Sequence, residues 1–225
     1  MTSRTNAVVD LIDAAIASSN PASEPLLAGL TTGELSRDEL RTFATQYFHL
    51  VDALPRFVSM VHSVTLDAGI RRTLLNVLTP LESRPPSVAD LWLQTCAALG
   101  LFSDSVRASE PTASTSACLG DYEYLCHAGS IQGLAALYAW MSRLPIVCRV
   151  EQTALAEHYG LSSGPGVEFF EAIGFQAQSH ARALRGALAQ MLDAHPEAEH
   201  AALDAAVSAV TAVKGLYSGA LSGVR

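Results

Sequence analysis

The apolar positions of this chain recur at steps of three and four along almost its whole length, the spacing of amphipathic or buried helices. The clearest stretch is Val167–Leu188, VEFFEAIGFQAQSHARALRGAL, where Phe170, Ile173, Ala177, His180 and Leu184 fall on one stripe. Four of these five are apolar and the fifth is a histidine on an otherwise greasy inner face. Such an imidazole is either a core residue that donates to a carbonyl or part of a site.

The same spacing predicts a helix over Ala7–Ser18, with Val8, Leu11, Ile12 and Ala15 on one face and Asn20-Pro21 as its stop. Pro25 precedes a short turn that Thr31 or Thr32 can cap. Ser36 followed by Glu39 is a capping-box pattern that opens Arg37–Val51. Pro55 predicts a kink, or a break with a restart, before a helix over Arg56–Ala68. Ile70–Leu81 ends at the turn Ser83–Ser87, and Val88–Gly100 ends in a glycine cap. Ser103–Ala117, rich in Ser, Thr, Pro and Ala, predicts a loop. Helices over Asp121–Arg143 and Pro145–Tyr159, a loop at Gly160–Gly166 and a closing helix over Glu197–Leu216 complete the chain. No stretch alternates as a strand does, and no repeat of fixed period occurs. The expectation is all-α: one domain over residues 1–225, a bundle of about seven to nine helices.

Composition narrows the class further. With 225 residues, 49% of them hydrophobic, the chain can bury a substantial core. A formal charge of −8, with Lys214 as the one lysine and no cluster of basic residues, argues against a nucleic-acid or acidic-membrane partner. Cys96, Cys118, Cys126 and Cys148 have no C-x-x-C spacing and follow no recognisable signal peptide, which predicts reduced thiols and a cytoplasmic protein. No apolar run reaches the length of a membrane span.

Four segments taken in order resemble the haem-oxygenase-like superfamily, namely the TenA and PqqC enzymes and the CADD-like non-haem di-iron oxidases. They are LRTFATQYFHLVDALPRFVSMVHS (40–63), ESRPPSVADLWLQTCAALGL (82–101), LAALYAWMSRLPIVCRVEQTALAEHYGL (134–161) and VEFFEAIGFQAQSH (167–180). The resemblance implies a helical bundle around a central cavity and a small-molecule substrate, and superfamily members often form homodimers.

It also implies where a di-iron site would lie: a Glu followed about six residues later by a His, a Glu on an ALYAYE-like helix, and F-x-x-H-x-x-x-D-x-x-H. Here Glu82 stands at the first Glu, but Val88, or its neighbour Ala89, takes the His position. Met141 replaces the second Glu, and Ile173 and Ala177 replace the first His and the Asp of the third signature. Of the six positions only Glu82 and His180 keep ligating side chains, fewer than a metal site needs. No metal and no other cofactor is therefore expected. Haem is disfavoured because the first histidine is His49, beyond the first helix. Tyr47 matches a tyrosine that lies beside the metal in CADD-like enzymes, whereas the region of their functional lysine holds Glu151 and Gln152. A thiaminase nucleophile is missing from the Leu134–Met141 helix.

The expected function is a small-molecule biosynthetic enzyme acting without the di-iron centre, by PqqC-like oxidation, cyclisation or acid/base chemistry. In that reading Glu82 and His180 pair as a proton-shuttling dyad, because a carboxyl inside a bundle needs a partner, and Tyr47, also counted among the catalytic residues, orients the substrate with Gln46. Gln46, His49 and Tyr138 face the substrate, and Val88, Met141, Ile173 and Ala177 shape an apolar pocket. Arg56 and Arg149 are candidates to hold an anionic substrate, and His195 and His200 are solvated. The alternatives are a non-catalytic binder or partner protein of the same fold, and an iron oxidase with rebuilt ligands.

Overall fold

Helices begin where the chain supplies its own caps. Ser36 and Glu39 form the expected reciprocal capping box at the start of α3, and Asp67 caps α4 by accepting from the Ile70 amide. Ser87 and Asp90 form a second capping box at α5, and Asp90 also pairs with Arg107 at 2.8 Å. Pro25 occupies the first turn of α2, where a missing N–H leaves nothing unsatisfied.

The computed structural model describes residues 2–18, 24–83 and 85–220, so the Asn20-Pro21 stop and Arg84 lie outside the described residues. Ten α-helices occur among them: α1 Thr2–Ser18, α2 Pro25–Thr32, α3 Arg37–Val64, α4 Ala68–Glu82, α5 Val88–Ala98, α6 Ser103–Arg107, α7 Ala113–Ala128, α8 Ser130–Tyr159, α9 Glu168–Ala194 and α10 Glu199–Gly219. No strand is present among the described residues. Four boundaries differ from expectation. Pro55 does not break α3, and Pro145 lies inside α8 as Pro55 lies inside α3. Each proline forfeits a backbone hydrogen bond at a cost of about 3 kcal/mol. Burial on both sides, by Leu54, Phe57 and Val58 in one case and Leu144, Val147 and Cys148 in the other, offsets it. The expected helix through Ala128–Ser130 instead stops at Gly129, whose φ of 152° and ψ of 167° suit glycine. The expected loop Ser103–Ala117 contains α6 and the first turn of α7.

α8 is the centre of the bundle. Its run from Gly133 to Met141 is buried without interruption, as only a helix covered on all sides can be. It packs against α9, α10, α7, α2 and α3. Gly133 permits the α3 contact: a Cβ there would sit 2.4 Å from Cγ2 of Val61. α9 runs back along α8, with Gly174 against Cys148 and Gln152 donating to Glu171 at 3.4 Å. Its predicted stripe, Phe170, Ile173, Ala177, His180 and Leu184, is buried in full. No helix among the described residues is long and apolar enough to cross a membrane.

Candidate functional site

Three helices bring polar side chains into the middle of this apolar core. Tyr47 comes from α3, Cys148 and Glu151 from one turn of α8, and Tyr217 from the end of α10. Glu151 is only 2% exposed. Burial pushes its carboxyl up to about 8, and a 3.4 Å hydrogen bond donated by the Tyr217 hydroxyl opposes that rise. Glu151 therefore carries its proton at neutral pH. The Tyr47 hydroxyl interacts with the side chains of Tyr217 and Trp140, and its ring lies 5.9 Å from that of Tyr217. Burial and the neighbouring carboxyl hold both phenols far above the ordinary tyrosine range, so both stay neutral.

Beside this cluster is a cavity of about 30 Å³, room for one or two waters. Tyr47, Tyr122, Trp140 and Tyr217 supply its aromatic wall. Tyr122 meets Trp140 edge-on at 5.4 Å. Three charged residues also line it: Arg143, Lys214 and Glu24. Lys214 pairs with Glu24 at 3.2 Å, and Ser218 donates to the other oxygen of Glu24 at 3.3 Å.

The four thiols are buried and hold their protons. Burial pushes Cys96, Cys118 and Cys126 up to about 12, and Cys148 is raised by burial and by Glu151. None of the four is in a disulfide.

Of the residues expected to work together, Tyr47 alone reaches the cavity wall. Gln46 does not face a substrate. Its Oε1 accepts from the Thr112 amide and the Thr115 hydroxyl, both at 2.8 Å, and its Nε2 donates to the Glu110 carbonyl at 3.2 Å. It fastens the segment before α7 to α3. His49 does the same one turn on. Ser109 Oγ gives its proton to the Val106 carbonyl, so it accepts from Nε2–H of His49 at 3.1 Å. Tyr138 donates to Asp13 of α1, which also holds Arg185 at 2.8 Å. That hydroxyl ties α1 to α8 and α9.

The expected dyad is not formed. Glu82, the last residue of α4, is exposed on a shallow cleft, whereas His180 is buried on α9, and neither bonds a described residue. Burial lowers the His180 imidazole, which is neutral at neutral pH. Val88 and Ile173 do share one pocket, an outward groove of about 510 Å³ bounded by Pro80, Pro86 and Phe175. Met141 and Ala177 are buried in the core.

The donor set for a di-iron centre does not fit. Hydrocarbon side chains at Val88, Ile173 and Ala177 cannot ligate, and Met141 offers only a soft thioether. Among the described residues no group of three or more His, Cys, Asp or Glu side chains is arranged to hold a metal ion.

Sequence reasoning passed over Glu151 as an acid, and also Arg143 and Tyr217. A signal existed for the first. Glu151 continues the apolar spacing of Leu144, Val147 and Cys148 toward Leu155, and a carboxyl on such a stripe must be buried.

The architecture is that of the haem-oxygenase-like helical folds. A CADD-like protein from Nostoc punctiforme superposes with a TM-score of 0.77 at 17% identity, covering 98% of each chain. A TenA homologue from Pseudomonas syringae pv. tomato gives 0.77 at 12% identity, covering 96% of this chain and 92% of its own. A haem-oxygenase-like domain from Shewanella denitrificans gives 0.73 at 13% identity, over 99% and 92%. Residues 17–210 match the TENA/THI-4/PQQC family, and the chain belongs to it. Among its relatives, the 4-aminobenzoate synthase of Chlamydia muridarum is 31% identical over 163 residues, 72% of this chain and 69% of that one. The 4-aminobenzoate synthase of Nitrosomonas europaea is 30% identical over 176 residues, 74% and 72% of the two. Lys214 and Tyr217 lie beyond the family match.

Proposed function

We propose that the protein is a small-molecule biosynthetic enzyme that works by acid/base chemistry at the buried Tyr47–Tyr217–Glu151 cluster, without a di-iron centre. The observation that carries this reading is Glu151: a carboxyl 2% exposed, raised to about 8 and bonded to a phenol on the cavity wall. A carboxylic acid kept protonated near neutral pH beside a cavity is a general acid in waiting. In this relay the Tyr217 hydroxyl gives its proton to a bound molecule and takes the proton of Glu151 in its place, which leaves Glu151 as a carboxylate until it is reprotonated, while Tyr47 and Trp140 orient that molecule. Relatives named 4-aminobenzoate synthase support a biosynthetic role. The hydrocarbon side chains of Val88, Ile173 and Ala177, where the resemblance implies ligands, support a reaction that does not need iron.

The test is mass-spectrometric comparison of a small-molecule extract of the source cells before and after incubation with the enzyme. The expected result is a compound consumed equally with and without chelator, and not consumed by Glu151→Gln. Turnover that requires added iron, or that survives Glu151→Gln, overturns the reading. A second reading, a non-catalytic binding protein, is favoured by the small size of the cavity, and consumption of no compound would select it over the first.

A further inference from the structure

A relay that gives up the Glu151 proton needs one back, and this carboxyl is too deeply buried to take it from bulk water. The titratable groups near it are Tyr47, Cys148 and Tyr217. Of these, Tyr217 bonds it, and the phenol is the donor, which is the direction that reprotonation of a carboxylate requires. The same phenol lines the small cavity. That cavity leads outward from buried Tyr47 to Lys214, whose side chain is 44% exposed. Between them lies Glu24, a buried carboxyl held by Lys214 at 3.2 Å and by Ser218, the neighbour of Tyr217, at 3.3 Å. The charges of Tyr217, Glu24 and Tyr122 all act on Arg143, as they do when these groups face one space. A polar-lined space with room for one or two waters is a place where water is held.

We propose that Glu24 is the proton-entry residue of this site: it takes a proton from solvent at the Lys214 rim and hands it, through water in the cavity and the Tyr217 hydroxyl, to the Glu151 carboxylate. Each carrier accepts one proton and gives one on. Glu24 protonates a cavity water, that water passes a proton to the Tyr217 oxygen, and the original Tyr217 proton moves to Oε1 of Glu151. The net change is one proton drawn from solvent and one carboxylate made a carboxyl, with no oxidant or other reactant. Such hops need donor and acceptor within hydrogen-bond reach or joined by one water, and the cavity is of the size to supply that water. With Arg143 and Lys214 on the walls a free hydronium is disfavoured, so a carboxylate is the group suited to carry the proton past them. Glu24 acts through Tyr217 and does not touch the reacting molecule. The inference rests on the proposed acid role of Glu151, but the entry step can be measured without turnover.

The test uses the full chain and no substrate. The protein is held at about pH 9, above the value of about 8 for Glu151, and a laser flash frees protons from a caged acid. Time-resolved infrared spectroscopy follows the rise of the Glu151 carbonyl band, with Glu151→Gln as the blank. Glu24→Gln keeps the shape and the hydrogen bond from Ser218 but carries no proton, and it should slow that rise at least about tenfold. Its equilibrium midpoint should stay within about one pH unit of the parent. Glu24→Asp, which restores a carboxyl, should recover most of the rate. A substitution that only loosened the core would do the opposite, admitting water, lowering the midpoint and quickening the rise. That pattern overturns the entry route. So does a rise as fast in Glu24→Gln as in the parent, or as slow in Glu24→Asp as in Glu24→Gln, and each of these leaves Glu151 as the acid. A parent protein with no carbonyl band that ionises near this value overturns the entry route and the acid reading together. A slowed rise in Glu24→Gln with no compound turned over by the parent keeps the entry route and removes the enzyme reading.

Discussion

The Tyr217 hydroxyl donates to Oε1 of Glu151 at 3.4 Å, joining the last turns of α10 to the middle of α8. The bond lies in the core near Tyr47 and Cys148, and it is the one side-chain hydrogen bond of the buried carboxyl among the described residues. A group buried this deeply with one long hydrogen bond is held at a cost to stability, and a cost of that kind is expected where a protein needs the group for chemistry.

The first prediction concerns that cost. In the unfolded chain Glu151 ionises near 4.5, and in the folded protein near 8. Between these values the unfolded state releases a proton that the folded state keeps. Stability therefore falls as pH rises, by roughly 1.4 kcal/mol per pH unit at most, and levels off above the folded value. Glu151→Gln removes this term. The variant should match the parent near pH 4.5 and exceed it by several kcal/mol at pH 8, an order-of-magnitude figure. Urea unfolding of both proteins from pH 5 to 9 measures the gap, and parallel pH profiles would show that Glu151 is not protonated in the folded state.

Tyr217→Phe isolates the hydrogen bond. The phenol stabilises the ionised carboxylate, so its removal should raise the Glu151 carboxyl further above about 8. The protonated carboxyl has an infrared carbonyl band that disappears on ionisation. Titrating that band in the parent and in Tyr217→Phe gives the two midpoints directly, with Glu151→Gln as the blank. A midpoint that moves down, or not at all, contradicts the contact.

The helical spacing made most of the fold legible. The α9 stripe is buried as read, and the Ser36–Glu39 pattern caps α3, because both depend on neighbours a few residues apart. Pro55 and Pro145 misled for the opposite reason: the packing that carries their helices through comes from other helices. The site was less legible. Gln46 and His49 read as cavity-facing groups, yet their partners are Glu110, Thr112, Thr115 and Ser109, about sixty or more residues away along the chain. Tyr138 finds Asp13 across a still longer separation. The Glu151–Tyr217 contact likewise joins residues 66 positions apart and is not legible along the chain.

Gln46 should behave as a structural pin. Gln46→Ala removes three hydrogen bonds and leaves the Thr112 amide and the Glu110 carbonyl without their partner. A loss of about 2–4 kcal/mol is expected, since each abandoned buried group costs about 1–3 kcal/mol. Amide exchange at Thr112 and through the first turn of α7 should accelerate. Slow exchange at Thr112 in the variant would argue for another anchor.

A close helix crossing provides the last test. An added Cβ at position 133 would lie 2.4 Å from Cγ2 and 3.1 Å from Cγ1 of Val61, both inside van der Waals contact. Gly133→Ala gains up to about 1 kcal/mol of helix propensity. It also forces α3 and α8 apart at a cost of about 1–3 kcal/mol, so the net change should be destabilising. Val61→Ala alone should cost roughly 1–2 kcal/mol through the methyl groups it removes. Combined, the two should be more stable than the sum of the single losses predicts, because the alanine at 61 vacates the space that the new Cβ needs. A double-mutant cycle of unfolding free energies measures this coupling. Additive losses would mean that α8 escapes the clash by shifting along α3, and Tyr47, on α3, would then move relative to Glu151 on α8.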